Sequence, residues 1–162
     1  MYECPDLIHT QPCPPGSYAN FTGQAQCCQC PNGWYACYSG SSSCTLCPAG
    51  YQCSDLIHAQ VCPPGTYSSS GQVQCLRCPN SSYAYYSGSS SCTLCPAGYQ
   101  CSDLIHTQAC SPGTYAPSGQ VQCFLCSINC YAYYSGTSSC TPCPTGYGTL
   151  SVGQTACIKI TG

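Results

Sequence analysis

Cysteine recurs along this chain in a six-part rhythm repeated three times, and that spacing restricts the fold more than any other feature. Its first and second positions are Cys4, Cys53, Cys101 and Cys13, Cys62, Cys110. Its third and fourth are Cys27, Cys75, Cys123 and Cys30, Cys78, Cys126. Its fifth and sixth are Cys44, Cys92, Cys140 and Cys47, Cys95, Cys143. Every position recurs at one fixed interval, lengthened by a single residue in the first copy, and the stretch SCTLCPAGYQCSDLIH appears without change at 43–58 and 91–106. A fixed period of roughly 20–50 residues is the mark of stacked units that each touch mainly their neighbours. The expected architecture is small and disulfide-rich: an elongated rod of cysteine-rich repeats at 1–52, 53–100 and 101–142, with a truncated fourth unit at 143–162. It should be made of short β-hairpins and turns with little helix.

The cysteines must be bonded because nothing else can hold the chain together. Leu, Ile, Val and Phe number only 20 of 162 residues, below the ~20% at which a packed apolar core becomes doubtful. Burial alone would not offset the entropy of ordering such a chain. Twenty-two cysteines lie far above the level that marks a disulfide scaffold, and disulfides persist outside the cell or in the secretory lumen. A secreted or cell-surface protein is therefore expected. The sequons Asn20-Phe21-Thr22 and Asn80-Ser81-Ser82 suit N-linked glycans on exposed turns. The opening MYECPDLIHT offers neither the basic start nor the apolar run of a signal peptide. No stretch approaches the ~20 apolar residues of a membrane span. With two basic residues in all, nucleic acid and anionic membranes are poor partners.

Local signals favour turns. Gly-Ser/Thr-Tyr at Gly16–Tyr18, Gly65–Tyr67 and Gly113–Tyr115 follows Pro and reads as a tight turn leaving into a strand. Tyr83–Tyr86 and Tyr131–Tyr134 have strand-favouring aromatics ended by Ser-Gly. SDLIH suggests one helical turn with Asp55 or Asp103 near its start. The fifteen tyrosines are expected mostly packed on disulfides or between hairpins, with exposed ones suited to contacts between chains.

Four cysteines lie outside the rhythm: Cys28, Cys37, Cys130 and Cys157. Where the first copy has Cys28 and Cys37, the second has Leu76 and Tyr85 and the third Phe124 and Tyr133. Joint loss reads as one bond, Cys28–Cys37, since losing half would strand a thiol. The segment CPPGSYANFTGQAQCCQCPNGWYACYSGSSSC resembles a cysteine-rich module of tumour necrosis factor receptors. CPPGTYSSSGQVQC and CPAGYQC make the chain as a whole resemble the ephrin-receptor-like cysteine-rich repeats of large extracellular proteins. The receptor-module scheme implies Cys13–Cys27, Cys28–Cys37 and Cys30–Cys44, then Cys62–Cys75 and Cys78–Cys92, then Cys110–Cys123 and Cys126–Cys140. Cys143–Cys157 repeats the spacing of Cys13–Cys27. Cys47–Cys53 and Cys95–Cys101 remain as short loops. A loop of ~15 residues stabilises by about 3 kcal/mol in the chain-entropy model. Cys4 and Cys130 are left over, and leftover cysteines in a secreted chain suggest pairing between molecules.

Sharper chemistry fares less well. Cys75-x2-Cys78 and Cys92-x2-Cys95 have nearly the spacing of a zinc ribbon, but the other cysteines would still need partners. A thioredoxin-like role needs a helix behind CxxC. His9, His58 and His106 follow Asp6, Asp55 and Asp103 by three residues, a pair suited to a metal or a pH-sensitive contact. The plainer reading has Leu56-Ile57 packed at the joint between units with Asp and His flanking it. No catalytic constellation, cofactor or metal is expected, because one site is not built by repeating the same residues three times. Two functions remain: the repeating subunit of an extracellular fibre, hair or wall that binds copies of itself in an open linear or helical assembly, or a receptor-type ectodomain that binds a protein ligand. Scarce charge and near-identical copies favour the first.

Overall fold

A computed structural model describes residues 11–20 and 26–160, and within them one tight turn recurs nine times. At Pro14-Pro15-Gly16-Ser17 the Ser17 N–H donates to the Pro14 carbonyl at 3.1 Å, and Tyr51 to Pro48, Tyr99 to Pro96 and Tyr147 to Pro144 repeat it. The third turn residue has positive φ every time, from Gly16 at 82° to Gly146 at 84°, with Ser81 at 78° and Asn129 at 69° as the two non-glycine cases. Positive φ there is the requirement of a type II turn. Each turn is preceded by a cysteine: Cys13, Cys30, Cys47, Cys62, Cys78, Cys95, Cys110, Cys126 and Cys143, at short and nearly equal intervals. These nine steps, numbered in that order, subdivide each repeat into three.

From each turn the backbone runs extended for two residues and returns as a short partner strand. The chain divides into two compact units, with the boundary falling across step 4. In the first unit β1 (Ser17–Tyr18) pairs with β2 (Cys28–Gln29), β3 (Trp34–Tyr35) with β4 (Thr45–Leu46), and β5 (Tyr51–Gln52) with β6 (Gln60–Val61), all antiparallel. Strands β7 (Thr66–Tyr67) and β8 (Leu76–Arg77) belong to step 4. In the second unit β9 (Ser82–Tyr83) pairs with β10 (Thr93–Leu94), β11 (Tyr99–Gln100) with β12 (Gln108–Ala109), and β13 (Thr114–Tyr115) with β14 (Phe124–Leu125). There too β15 (Cys130–Tyr131) pairs with β16 (Thr141–Pro142) and β17 (Tyr147–Gly148) with β18 (Ile158–Lys159).

Hairpins this short are marginal alone, so what joins them matters. Covalent links come first. The first unit holds Cys13–Cys27, Cys30–Cys44, Cys47–Cys53 and Cys62–Cys75. The second holds Cys78–Cys92, Cys95–Cys101, Cys110–Cys123, Cys126–Cys140 and Cys143–Cys157. Backbone bonds between successive steps come next. In the first unit Gly16 N–H donates to the Ala36 carbonyl and Gly50 N–H to Ser68, both at 2.8 Å; in the second Gly65 donates to Ala84, Gly98 to Ala116 and Gly113 to Ala132 at 2.7–2.8 Å. These joints are tight. A Cβ on Gly50 would fall on the Gly88 carbonyl oxygen, and one on Gly98 on that of Gly136.

Among the described residues every buried apolar side chain is Cys or Ala: ten cysteines with Ala36, Ala84, Ala116 and Ala132. The tyrosines therefore do not form the interior that their number suggested. Eight of the fourteen described ones are exposed and none is buried. The interior between steps is too thin for a phenol ring, and sulfur and methyl groups fill it.

Three local expectations are corrected. SDLIH makes no helical turn, because Leu56 and Leu104 adopt left-handed φ of 62° and 64°, a conformation a right-handed helix excludes. The strands expected at Tyr83–Tyr86 and Tyr131–Tyr134 stop at Tyr83 and Tyr131; Ala84 and Ala132 turn instead into the joint to the next step. The Cys28–Cys37 bond is absent, for Cys37 is an exposed free thiol. The two positions face different neighbours in the later copies. Phe124, in the place of Cys28, packs on Tyr115 across its own hairpin, whereas Tyr85, in the place of Cys37, stands against His106. No helix among the described residues is long and apolar enough to cross a membrane.

Candidate functional site

The Asp-Leu-Ile-His loop is the first candidate, since its two described copies hold every described Asp and His, Asp55, His58, Asp103 and His106. Asp55 Oδ1 accepts the Ile57 N–H at 2.9 Å and the His58 N–H at 2.8 Å, while Oδ2 meets His58 Nδ1 at 2.8 Å. Asp103 repeats this with Ile105 and His106 at 2.7–2.8 Å. The carboxylate thus ties a loop whose second residue is left-handed. The His58 backbone N–H, then its ring, then the Ile57 N–H hold the Asp55 carboxyl down at about 2, and the same groups hold Asp103 well below the usual carboxylate range. Hydrogen bonds to the charged form are the cause. The loop's apolar pair packs where the plainer reading put it: Ile57 Cγ1 lies 3.4 Å from the Cβ position of Gly16, and Ile105 Cγ1 3.2 Å from that of Gly65. A shallow groove lined by Pro14, Pro15, Gly16, Asp55, Leu56 and Ile57 marks that contact in the first unit.

Each Asp/His pair is therefore satisfied internally and braces a joint. Among the described residues no three metal-ligating side chains converge. Asp6 and His9 lie outside the described residues.

The second candidate is the exposed surface. Tyr38, Tyr86 and Tyr134 occupy the same position of successive repeats and are 77%, 75% and 74% exposed. Tyr85 stands edge-on to Tyr86 and Tyr133 to Tyr134, both with ring centroids at 4.8 Å. Leu46 and Leu94 are exposed one after the other in the same way. The chain has only two basic and four acidic residues, so the repeats present aromatic and aliphatic groups with almost no charge between them.

The remaining residues are simply placed. Cys130 is a half-buried free thiol on β15, opposite Pro142; Cys4 lies outside the described residues. Asn80 is exposed on its turn beside left-handed Ser81. Asn20 is exposed, while Phe21 and Thr22 of its sequon lie outside the described residues. The subdivision of each repeat into three steps was missed in the sequence, although its signal is there: CPPG, CPNG and CPAG in the first repeat, CPPG, CPNS and CPAG in the second.

Residues 65–111 and 113–159 match the family model described as tyrosine-protein kinase ephrin type A/B receptor-like. The matches begin at Gly65 and Gly113, which are equivalent positions of successive repeats. No curated protein matches the chain. Two matches in register with the repeat cover more than half of its length, and the chain belongs to the ephrin type A/B receptor-like family of cysteine-rich repeats.

Proposed function

We propose that this chain is the subunit of an extracellular structural material, a fibre, hair or wall, assembled by stacking of identical copies and without a catalytic role. One observation carries the reading: the same uncharged side chains, Tyr38, Tyr86 and Tyr134 foremost, are exposed at equal sequence intervals. Equal groups at equal spacing suit contact with another copy of the same array. A site for one foreign ligand needs instead a surface that differs from its neighbours, and usually charge to steer the encounter. Nine disulfides among the described residues and the family membership are those of a protein of the cell surface or its exterior. The family's description, which names a receptor, supports the second reading, an ectodomain that binds a protein ligand. Electron microscopy of the secreted, unreduced protein tests the choice. Regular filaments are expected, and dispersed particles at every concentration favour the receptor reading.

A further inference from the structure

Tyrosine outnumbers phenylalanine by 15 to 2 in this chain, and packing does not account for the excess. None of the fourteen described tyrosines is buried, so the hydroxyl does not serve as the polar tip of a ring packed inside. The excess is plainest at Tyr38, Tyr86 and Tyr134, one in each repeat, which are 77%, 75% and 74% exposed. Another exposed position changes freely from copy to copy, from Gln29 to Arg77 to Leu125, whereas this one is a phenol each time.

The backbone behind the ring is fixed. In the first unit the Ser41 hydroxyl donates to the Tyr38 carbonyl at 2.7 Å, and the Gly40 N–H to the carbonyl of buried Cys13 at 2.8 Å. In the second the Thr137 hydroxyl donates to the Tyr134 carbonyl at 2.7 Å, and the Gly136 N–H to the carbonyl of buried Cys110 at 2.8 Å. There the preceding tyrosine also stands edge-on, Tyr85 to Tyr86 and Tyr133 to Tyr134, and it is the less exposed of each pair, at 53% and 61%. A braced turn thus holds the outer phenol toward solvent, with most of its ring open to another molecule.

Building on the assembly reading above, we infer that Tyr38, Tyr86 and Tyr134 are sites of oxidative coupling, where dityrosine bonds join one copy of the chain to another. The oxidant is hydrogen peroxide acting through an extracellular haem peroxidase. Each of two phenols gives up one electron and its hydroxyl proton, and the peroxide leaves as two waters. The two phenoxyl radicals join through ring carbons ortho to oxygen, and the hydrogen on each of those carbons moves to the oxygen, which restores both phenols. A single coupling point per copy would yield only dimers. Three, one in each repeat, build a network that reduction cannot dissolve.

The test uses the whole chain with free thiols alkylated, because a thiol reduces a phenoxyl radical. Limiting hydrogen peroxide with a haem peroxidase should give multimers that survive reduction and show the blue fluorescence of dityrosine. Peptide mapping should place the links at Tyr38, Tyr86 and Tyr134, each linked pair weighing the sum of its peptides less two hydrogens. Tyr38→Phe, Tyr86→Phe and Tyr134→Phe made together keep the rings and should remove nearly all of the coupling. The same change at half-buried Tyr35, Tyr83 and Tyr131 should leave it as in wild type. Acid hydrolysates of the protein as secreted should contain dityrosine too. Wild-type links spread over the other tyrosines, or secreted protein without dityrosine, overturn the inference. Sedimentation velocity before oxidation separates it from the reading on which it rests. A chain that assembles but does not couple at these phenols leaves homotypic assembly standing without the cross-link. One that stays monomeric at its highest soluble concentration, yet couples at these three phenols, removes the assembly reading and keeps the modification site.

Discussion

Gly50 and Gly146 share a left-handed backbone and differ in what lies beside them, which separates two reasons for being glycine. At Gly146 an alanine would meet open space and suffer only the left-handed penalty, about 1–2 kcal/mol. At Gly50 the same methyl group would collide with the Gly88 carbonyl. Gly50→Ala should therefore destabilise clearly more than Gly146→Ala, read as a larger fall in the thermal midpoint; equal falls would mean that the joint is looser than described. Asp55 offers a second residue-scale test. Its carboxyl is held at about 2, against an ordinary aspartate value of about 3.9. A lowered carboxylate pKa contributes stability that is present above the ordinary value and lost as pH falls through the lowered one. The Ile57 and His58 amides should stay protected at pH values between the two, and a loop that opens at the ordinary aspartate value would contradict the bonding pattern. That DLIH packs at a joint was legible, because Leu and Ile flanked by polar residues have little else to do. Its left-handed Leu56 was not legible, since leucine has no preference for that conformation and only the Asp55 carboxylate and the Ala36 N–H that bonds the Leu56 carbonyl impose it.

Single hairpins of two-residue strands acquire stability from the bonds that close them, and the two loop lengths differ in worth. Cys47–Cys53 closes a separation of 6 residues, Cys62–Cys75 one of 13. On the loop-closure estimate the first contributes about 2 kcal/mol and the second about 3, so replacing both partners by Ser should cost more at Cys62/Cys75 than at Cys47/Cys53 in equilibrium unfolding. The reverse order would show that native-state packing, not loop closure, sets the effect. Changing Cys37 to Tyr, the residue at positions 85 and 133, should leave stability within about 0.5 kcal/mol, as for a surface substitution without special contacts. The pairings of the repeated cysteines could be carried over from a resemblance because the same spacing returns in each copy of the repeat. The same resemblance implied Cys28–Cys37 as well. The joint absence of two cysteines from the other copies is explained as well by two separate surface positions as by one lost bond, and the exposed free thiol of Cys37 decides for the former.

For the molecule as a whole, the recurrence of identical segments announced repetition, while the finer step within each repeat was hidden because the third step of the first two repeats closes a separation of 6, Cys47–Cys53 or Cys95–Cys101, where their other steps close 13 or 14. Cysteines outside the closed pairs then bear on assembly. Cys130 is a free thiol within the chain, and a bond between it and Cys4 of another copy is expected to give a ladder of multimers on non-reducing gels that collapses on reduction. Peptide mapping that joined Cys4 and Cys130 within one chain would remove the covalent link and leave the repeat fold untouched.

Disulfides and a ladder of turn-glycine amides hold these repeats, with only Cys and Ala among the buried apolar side chains of the described residues. Amide hydrogen exchange before and after reduction separates the cross-links from packing. In the oxidised protein the amides of Gly16, Gly50, Gly65, Gly98 and Gly113, each bonded to the following step, should be protected. Reduction should abolish that protection at all five, because Cys and Ala alone bury too little to keep the steps together. Glycine amides that remain protected in the reduced protein would mean that packing suffices without the cross-links, and would contradict the account.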